Sequence, residues 1–377
     1  MPSDIDLRAI LDLARWAPSG DNTQPWRFEL AGQGHVVVHG FDTREHCVYD
    51  LDGHASELSL GALLETMAIA ASAQGASMQA TRRADAPVGR PVFDVRFAPD
   101  AQVRPDALIA SIDKRSVQRR PMATRRLTVQ EKQALEAAAA PHCRVVWRED
   151  FSQRLESARL LSTFAKVRLT MPEAYPTHRD IIEWDARFSI DRVPDQALGV
   201  DRMTAKMMRF VLGSWERVRF FNRWLAGTVA PRIQMDLIPG LACAAHFALV
   251  AKQEPVTIDD YVAAGRTVQR FWLTVTQLGL NLQPAVTPLI FARYLRERRA
   301  FTAQPGVSAE ATRAVKRMGE LLGASTLQAT VFMGRVGAGP APASRSLRLP
   351  LQRLEVQGNN PTQPAAPSLA REPTRVG

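Results

Sequence analysis

Apolar residues recur with helical spacing near the start of the chain. Between about Asp4 and Trp16, one side of a predicted helix carries Ile5, Ile10, Leu11, Leu13 and Ala14. Pro18 ends this helix, and the short run Trp26–Leu30 that follows has the composition of a strand.

The same order of elements returns in the second part of the chain. A helix is predicted from about Val129 to Ala140, with Thr128 and Glu131 forming a capping box at its start. Pro141 follows its end, and Arg144–Trp147 again has the composition of a strand.

Two longer helices strengthen the parallel. The segments Gly61–Gly75 and Gly265–Gly279 have the same length between their glycines, and Gln79 and Gln283 each lie four residues past the second glycine. Small residues on both helices permit close packing of one against the other. The pattern favours an internal duplication, and two unrelated buried helices are the alternative.

An insertion of about residues 164–239 separates the elements of the second part. It contains helical patterns that carry Trp184, Trp215, Phe220, Phe221 and Trp224, and a turn at Asp195–Gly199. One interpretation is a helical lid or a substrate wall; the other is that these aromatic residues simply pack the domain.

Composition narrows the class of protein. The 377 residues, 46% of them hydrophobic, can form two domains or one large one. No apolar run reaches the length of a membrane span, and the nearest, Leu237–Ala251, contains His246 and is interpreted as a buried segment. The N-terminus lacks the apolar region of a signal peptide, and Cys47, Cys143 and Cys243 fit no zinc spacing. We therefore expect a cytoplasmic protein with reduced thiols and no metal site.

The net charge of +10 does not by itself indicate nucleic-acid binding. Only six of the 48 basic residues are Lys, and the arginines are scattered without a nucleic-acid motif. Arginine suits a more local purpose, the binding of an anionic group such as phosphate.

The loop Ala17–Trp26 reads Ala-Pro-Ser-Gly-Asp-Asn-Thr-Gln-Pro-Trp. The Ser19 hydroxyl, the backbone around Gly20 and the amides of Asn22 and Gln24 can meet a flat heterocycle that both donates and accepts hydrogen bonds. The loop resembles the flavin-contacting loop of the nitroreductase family, whose pattern is Ala-Pro-Ser-x-x-Asn-x-Gln-Pro-Trp. The resemblance implies that Pro18, Ser19, Gly20, Asn22 and Gln24 bind FMN.

A second segment, Lys114–Arg119, resembles the family's Arg-Arg-Ser-x-Arg motif, which holds the phosphate and ribityl chain of FMN. The resemblance assigns this role to Lys114, Arg115, Ser116 and Gln118. Gln118 stands where the family has its last arginine, and Arg119 is shifted by one position. A solvated basic turn is the alternative.

Two further segments match the family near the end of the chain. A strand predicted at Gln328–Val336 leads to a basic segment in which Arg348 best matches the family's phosphate-binding arginine and Arg345 is the other candidate; an exposed basic tail is the alternative. Gln283 and Pro284 correspond to the segment that approaches the reactive edge of the flavin, although a simple helix-to-strand connection also explains them.

The resemblance covers roughly residues 4–352 and implies an α+β, nitroreductase-like fold: central, mostly antiparallel sheets flanked by helices, in two fused halves with a long-helix interface. The predicted units are 1–108, a truncated first half; 109–352, the second half with the insertion at about 164–239; and 353–377, a tail that is disordered, since the residues from Gly358 onward have little to bury.

The two halves carry complementary pieces of a flavin site. The first half has the Ala17–Trp26 loop but no phosphate-binding segment before its helix. The second half has such a segment, Lys114–Arg119, but lacks the loop, because Pro141 and His142 lead directly to the predicted strand that begins at Cys143. Given the family geometry, this implies one FMN per chain and a monomer that is an internal pseudo-dimer, with further association open.

The implied activity is an FMN-dependent oxidoreductase. NADH or NADPH would act as a transient donor, and nitro, quinone or related conjugated small molecules as acceptors, by ping-pong electron transfer without a catalytic side chain. No nucleic-acid or membrane partner is expected. The alternatives are a protein that sequesters FMN and a dedicated flavin dehydrogenase or oxidase of a biosynthetic pathway.

Overall fold

The computed structural model describes residues 5–140 and 142–357. The greater part of the predicted tail, Gly358–Gly377, and Pro141 lie outside the described residues. Within them, helices surround sheets whose long strands are antiparallel, an arrangement compatible with the predicted fold class.

The first part of the chain forms a four-stranded sheet with a long helix. Its elements are α1 (Leu7–Ala14), β1 (Trp26–Gly32), β2 (His35–Gly40), α2 (His54–Ser72), β3 (Ala76–Arg82) and β4 (Val92–Pro99). The strand order is β1-β2-β4-β3, antiparallel throughout. Trp26 and Phe28 of β1 pack with Leu11 of α1 and Leu63 of α2 in one buried cluster.

The second part forms a sheet of the same size. Its elements are α3 (Val129–Ala139), β5 (Cys143–Arg148), α4 (Phe151–Thr170), and, after the insertion, β9 (Ala245–Ala251), α10 (Ile258–Gln277), β10 (Leu280–Pro284), α11 (Thr287–Arg296), α12 (Pro305–Leu322), α13 (Ala324–Ala329) and β11 (Thr330–Ala338). The antiparallel order is β10-β11-β9-β5. The predicted capping box is confirmed, with Thr128 and Glu131 each bonding the other's backbone N–H.

The insertion is helical, as predicted, and starts within α4. It contains α5 (Tyr175–Asp180), the two-residue strands β6 (Ile182–Glu183), β7 (Phe188–Ser189) and β8 (Val193–Pro194), then α6 (Arg202–Val211), α7 (Trp215–Trp224), α8 (Val229–Arg232), a π-helical stretch Ile233–Leu237, and α9 (Ile238–Leu241).

The long helices α2 and α10 cross at their glycines. A Cβ on Gly265 would overlap the Leu58 carbonyl of α2 and come within 3.0 Å of the Gly61 Cα, and a Cβ on Gly61 would overlap the Val262 carbonyl of α10. Glu65 of α2 accepts hydrogen bonds from Arg266 and Arg270 of α10, both at 2.9 Å. The absence of side chains at the crossing thus sets the distance between the two parts of the chain.

The second glycines also behave alike. Gly75 and Gly279 both have positive φ, at 64° and 69°, and each is followed directly by a strand, β3 or β10. These are the local parallels on which the duplication was inferred. The duplication itself and the predicted unit boundaries stay predictions.

The end of the described chain returns to the first sheet. A two-residue strand, β12 (Arg345–Ser346), is followed by Leu349, Leu351 and Leu354, which are buried in the core of the first part. Phe28 N–H donates to the Leu354 carbonyl at 2.8 Å, and Val356 N–H donates to the Phe28 carbonyl at 2.8 Å. Ordered chain therefore continues past 353, where the sequence placed the start of the tail, because Leu354 has a core to enter.

The glycine crossing yields a testable expectation. Gly265→Ala should lower the free energy of unfolding by roughly 1–3 kcal/mol or more, because the helices must separate to admit the methyl group. Gly306→Ala in α12 is the control: an added Cβ there meets nothing within 4 Å, and replacing a helical glycine gains up to about 1 kcal/mol. Urea unfolding followed by circular dichroism measures both. Equal stability of the two variants would contradict the close crossing.

Candidate functional site

The Ala17–Trp26 loop has an unusual backbone. Three of the six non-glycine residues with positive φ among the described residues lie in it: Asp21 at 48°, Asn22 at 64° and Gln24 at 50°. The Ser19 Oγ accepts a hydrogen bond from Gln24 N–H at 2.9 Å, which holds the turn closed. Such conformations persist where surrounding contacts enforce them, and they concentrate at binding sites.

The two amides of the loop are used differently. The buried Gln24 donates from Nε2 to the carbonyls of Asn22 and Ile190, at 3.1 and 2.9 Å, and its Oε1 accepts from Leu349 N–H at 2.9 Å. Asn22 donates from Nδ2 to the Arg192 and Leu347 carbonyls, while its buried Oδ1 has no hydrogen-bond partner among the described residues. Gln24 thus holds the loop in place, and Asn22 keeps a free acceptor.

Three arginines predicted for the phosphate clamp converge beside the loop. Arg115 and Arg348 are only 4% and 8% exposed, and Arg345 is half-buried. Arg115 Nη2 donates to the Trp16 carbonyl and Arg348 Nε to the Ala17 carbonyl, both at 3.0 Å. We call Arg115, Arg345 and Arg348 the arginine cluster.

The arginine cluster contains no ion pair among the described residues. None of its members forms an ion pair within the part of the chain that the structure describes, and Arg345 Nη2 donates to a neutral backbone carbonyl, that of Asp113, at 2.6 Å. Arg115 Nε and Arg345 Nε are buried without a hydrogen-bond partner among those residues. Buried charges are normally paired, so this arrangement is typical of a site for an anion.

Electrostatics support this interpretation. Burial, followed by repulsion from Arg348 and Arg345, holds the pKa of Arg115 well below its usual range. Burial and repulsion from Arg345 and Arg15 lower the pKa of Arg348 to about 9. Guanidinium groups stay protonated in proteins, so the folded state bears the cost of their mutual repulsion. A bound phosphate would relieve it.

The other predicted binding residues of the Lys114–Arg119 segment differ in exposure and in hydrogen bonding. Lys114 is exposed and Ser116 half-buried. Gln118 donates from Nε2 to the Pro340 carbonyl and accepts at Oε1 from Arg120 N–H, both at 3.1 Å. Each end of the Gln118 amide therefore makes one hydrogen bond to backbone, which fixes the segment.

Strand β10 lies directly beside this segment. Val117 and Leu282 form a parallel bridge, and Gln118 N–H donates to the Leu282 carbonyl at 3.0 Å. The neighbouring Gln283 has a buried Oε1 without a hydrogen-bond partner in the described ranges. Pro284 has no N–H to donate, so Gln283 is the residue of this predicted pair with a polar atom to spare.

The insertion closes over the loop and the end of the chain. The Ile190 and Arg192 carbonyls accept the hydrogen bonds from Gln24 and Asn22, and Ser346 Oγ donates to the Arg192 carbonyl at 2.8 Å. Strand β12 pairs in parallel with β7. The insertion therefore contacts two of the segments that the sequence assigned to the cofactor.

A cavity of about 170 Å³ lies mostly within the insertion and reaches the loop at Asp21. Met208 of α6 and Trp215 and Phe221 of α7 form part of its apolar wall. Its polar residues include Asp21, Arg119, Arg168 and Asp236.

Charges around this cavity interact across long stretches of sequence. Burial raises the pKa of Asp21, opposed by Arg119 and Arg168, and burial lowers the pKa of Arg119 to about 10. Burial likewise raises the pKa of Asp236, with Arg168 the largest opposing charge. No motif spacing connects Asp21, Arg168 and Asp236 in the sequence, and the fold alone brings them together around the cavity.

Comparisons with known proteins add little. No family model matches the chain, and no curated protein matches it. Among solved structures, a nitroreductase-like family protein from Bacillus cereus is similar at 12% identity and a TM-score of 0.32, covering 66% of this chain and 94% of that one. A likeness this distant carries no functional argument, so function has to be argued from the site.

Neither a metal-ligand cluster nor a membrane-spanning helix occurs among the described residues. Among residues 5–140 and 142–357, no group of three or more His, Cys, Asp or Glu side chains could hold a metal ion. Across the same residues, every helix is too short or too polar to cross a bilayer.

Proposed function

We propose that the chain is an FMN-dependent oxidoreductase that takes electrons from NADH or NADPH and reduces nitro, quinone or related conjugated acceptors. The observation that carries the proposal is the arginine cluster, three neighbouring guanidinium groups that form no ion pair among the described residues, beside a loop whose Asn22 keeps a buried acceptor free. One such cluster and one such loop support a single FMN per chain.

The residues present fit this cofactor. Arg115, Arg345 and Arg348 would hold the phosphate, with Ser116 and Lys114 within the same segment to contact the phosphate or ribityl chain. Asn22 Oδ1 and Gln283 Oε1 offer two buried acceptors for the ring N–H or the ribityl hydroxyls. When bound, FMN supplies the two-electron transfer chemistry.

The chain's own contribution is binding, orientation and exclusion of water. The insertion shields the loop from solvent, and its cavity has an apolar wall suited to an aromatic or quinoid acceptor. Arg119 and Arg168 face this cavity and would stabilise negative charge on an acceptor oxygen as it is reduced. Asp21 belongs to the loop and lines this cavity, and burial raises the pKa of its carboxyl group.

One observation favours a second function, sequestration of FMN with little turnover. The insertion is hydrogen-bonded to the loop through Gln24 and Asn22 and paired to β12, so it would have to move before a bulky donor could enter. A protein of this kind would bind FMN through the same residues and would resist reduction.

Variants of the binding residues test the cofactor. Arg115→Ala should weaken FMN binding roughly 10- to 150-fold, because a charge-assisted contact is worth about 1.5–3 kcal/mol. Asn22→Ala, which removes a neutral contact, should weaken it about 2- to 10-fold. Arg313→Ala on the exposed face of α12 is the control and should leave the Kd unchanged. Titration followed by flavin fluorescence gives the Kd and the stoichiometry. Two flavins per chain, or an unchanged Kd in Arg115→Ala, would contradict the assignment.

Anaerobic mixing tests turnover. The FMN-loaded protein should lose its visible flavin absorbance when NADH or NADPH is added and regain it when a quinone or nitro compound follows. Stopped-flow absorbance measures both halves of this cycle separately. Retention of the oxidised spectrum with both donors would favour sequestration over the reductase.

A further inference from the structure

The outward faces of α6 and α7 expose an unusual amount of apolar surface. Five of the fifteen exposed large hydrophobic side chains among the described residues lie on these two helices: Met203, Met207, Phe210, Phe220 and Trp224. Met203 is 76% exposed, Phe210 55% and Trp224 67%. Contiguous apolar patches of this kind on a folded protein indicate an interaction surface.

Aromatic and cation–π contacts join the two helices. The Phe210 ring lies 6.3 Å from that of Phe221, which lies 6.0 Å from the exposed Phe220. Arg217 of α7 stacks over Phe210 of α6 at 4.4 Å and donates to its carbonyl at 3.2 Å. We call the exposed side chains of these two helices the α6–α7 face.

Basic residues border the apolar ones. The two helices expose Arg202, Lys206, Arg209, Arg217, Arg219 and Arg223, against one acid within them, Glu216. Arg209 pairs with Asp185, and the other five form no ion pair among the described residues. At 100° per residue, Met203, Met207 and Phe210 form one strip of α6, and its basic residues run along the side of that strip.

We propose that the α6–α7 face binds peripherally to an anionic phospholipid surface. Aromatic and Met side chains would enter the boundary between headgroups and acyl chains, while the arginines and Lys206 meet the lipid phosphates. The expectation of no membrane partner came from the lack of a spanning segment, and interfacial binding needs none.

Charge decides between this partner and a second copy of the chain. A two-fold contact would place the same basic face against itself, so that like charges would oppose each other across an apolar interface. An anionic bilayer complements both the charge and the exposed hydrophobic side chains.

Binding through this face would place the cavity next to the lipid. The use of the cavity rests on the proposed function, whereas the lipid binding itself does not. The inward sides of the same helices line the cavity, through Met208 and Val211 of α6 and Trp215 and Phe221 of α7. A protein seated on this face would hold its cavity next to the lipid, the phase in which apolar quinones dissolve.

Vesicle binding tests the proposal on the full chain. The wild type should co-sediment with vesicles of equal parts phosphatidylcholine and phosphatidylglycerol, bind far less to phosphatidylcholine alone, and release as salt rises. Arg219→Gln/Arg223→Gln should weaken partitioning roughly 10-fold or more, since each basic residue near an anionic surface is worth about five-fold. Its control, Arg313→Gln/Arg317→Gln, removes two exposed arginines at the same helical spacing on α12 and should change it far less.

A second variant and its control test the contribution of the apolar side chains to vesicle binding. Phe220→Ser/Trp224→Ser should reduce partitioning into the mixed vesicles at least as much as Arg219→Gln/Arg223→Gln does. Phe151→Ser, at a site on α4 that is 65% exposed, should leave partitioning unchanged. Unchanged thermal unfolding establishes that each variant folds. Absence of wild-type binding to the mixed vesicles at low salt, or binding that neither α6–α7 variant weakens, would overturn the proposal. So would a concentration-dependent dimer that Phe220→Ser/Trp224→Ser abolishes.

Discussion

The packing of three like-charged guanidinium groups, two of them buried and one half-buried, is the constraint on which the candidate site depends. Arg115, Arg345 and Arg348 come from two distant segments and donate to neutral carbonyls, including those of Trp16 and Ala17, and none of them forms an ion pair among the described residues. Removing such charges from water costs several kcal/mol per ion in general. The rest of the fold has to hold these segments together against that cost.

Two features of the architecture hold these segments together. The close crossing of α2 and α10 at Gly61 and Gly265 fixes the two parts of the chain against each other. The Lys114–Arg119 segment bridges β10 through Val117 and contacts the residue before the Ala17–Trp26 loop through Arg115. The return of Leu349 to Leu354 into the core of the first part then anchors the segment that carries Arg345 and Arg348. Apolar packing on either side thus holds the arginine cluster in place.

Much of this could be predicted from sequence, because the signals were local. The capping box at Thr128 and the helix–glycine–strand order around Gly75 and Gly279 follow from residue types at fixed spacing, and the structure contains them. The convergence of Arg115, Arg345 and Arg348 was expected only through family resemblance, since residues more than 200 positions apart have no spacing rule.

Other features depend on tertiary contacts that the sequence does not encode locally. Gln24 and Gln118 have the right chemistry for a ligand, yet backbone groups brought from Ile190, Leu349 and Pro340 use their amides. Leu354 lies within the predicted tail, 353–377, and yet it is fully buried, because a single apolar residue can enter a core built by distant elements.

The comparison of FMN with riboflavin tests the central claim most directly, since the two differ only in the phosphate that the arginine cluster would bind. Titration of the flavin-free protein with each, at the same pH and ionic strength, gives two dissociation constants. The account predicts that FMN binds roughly 100-fold or more tightly than riboflavin, because two or three charge-assisted contacts are lost without the phosphate. Equal affinities for the two flavins would contradict it.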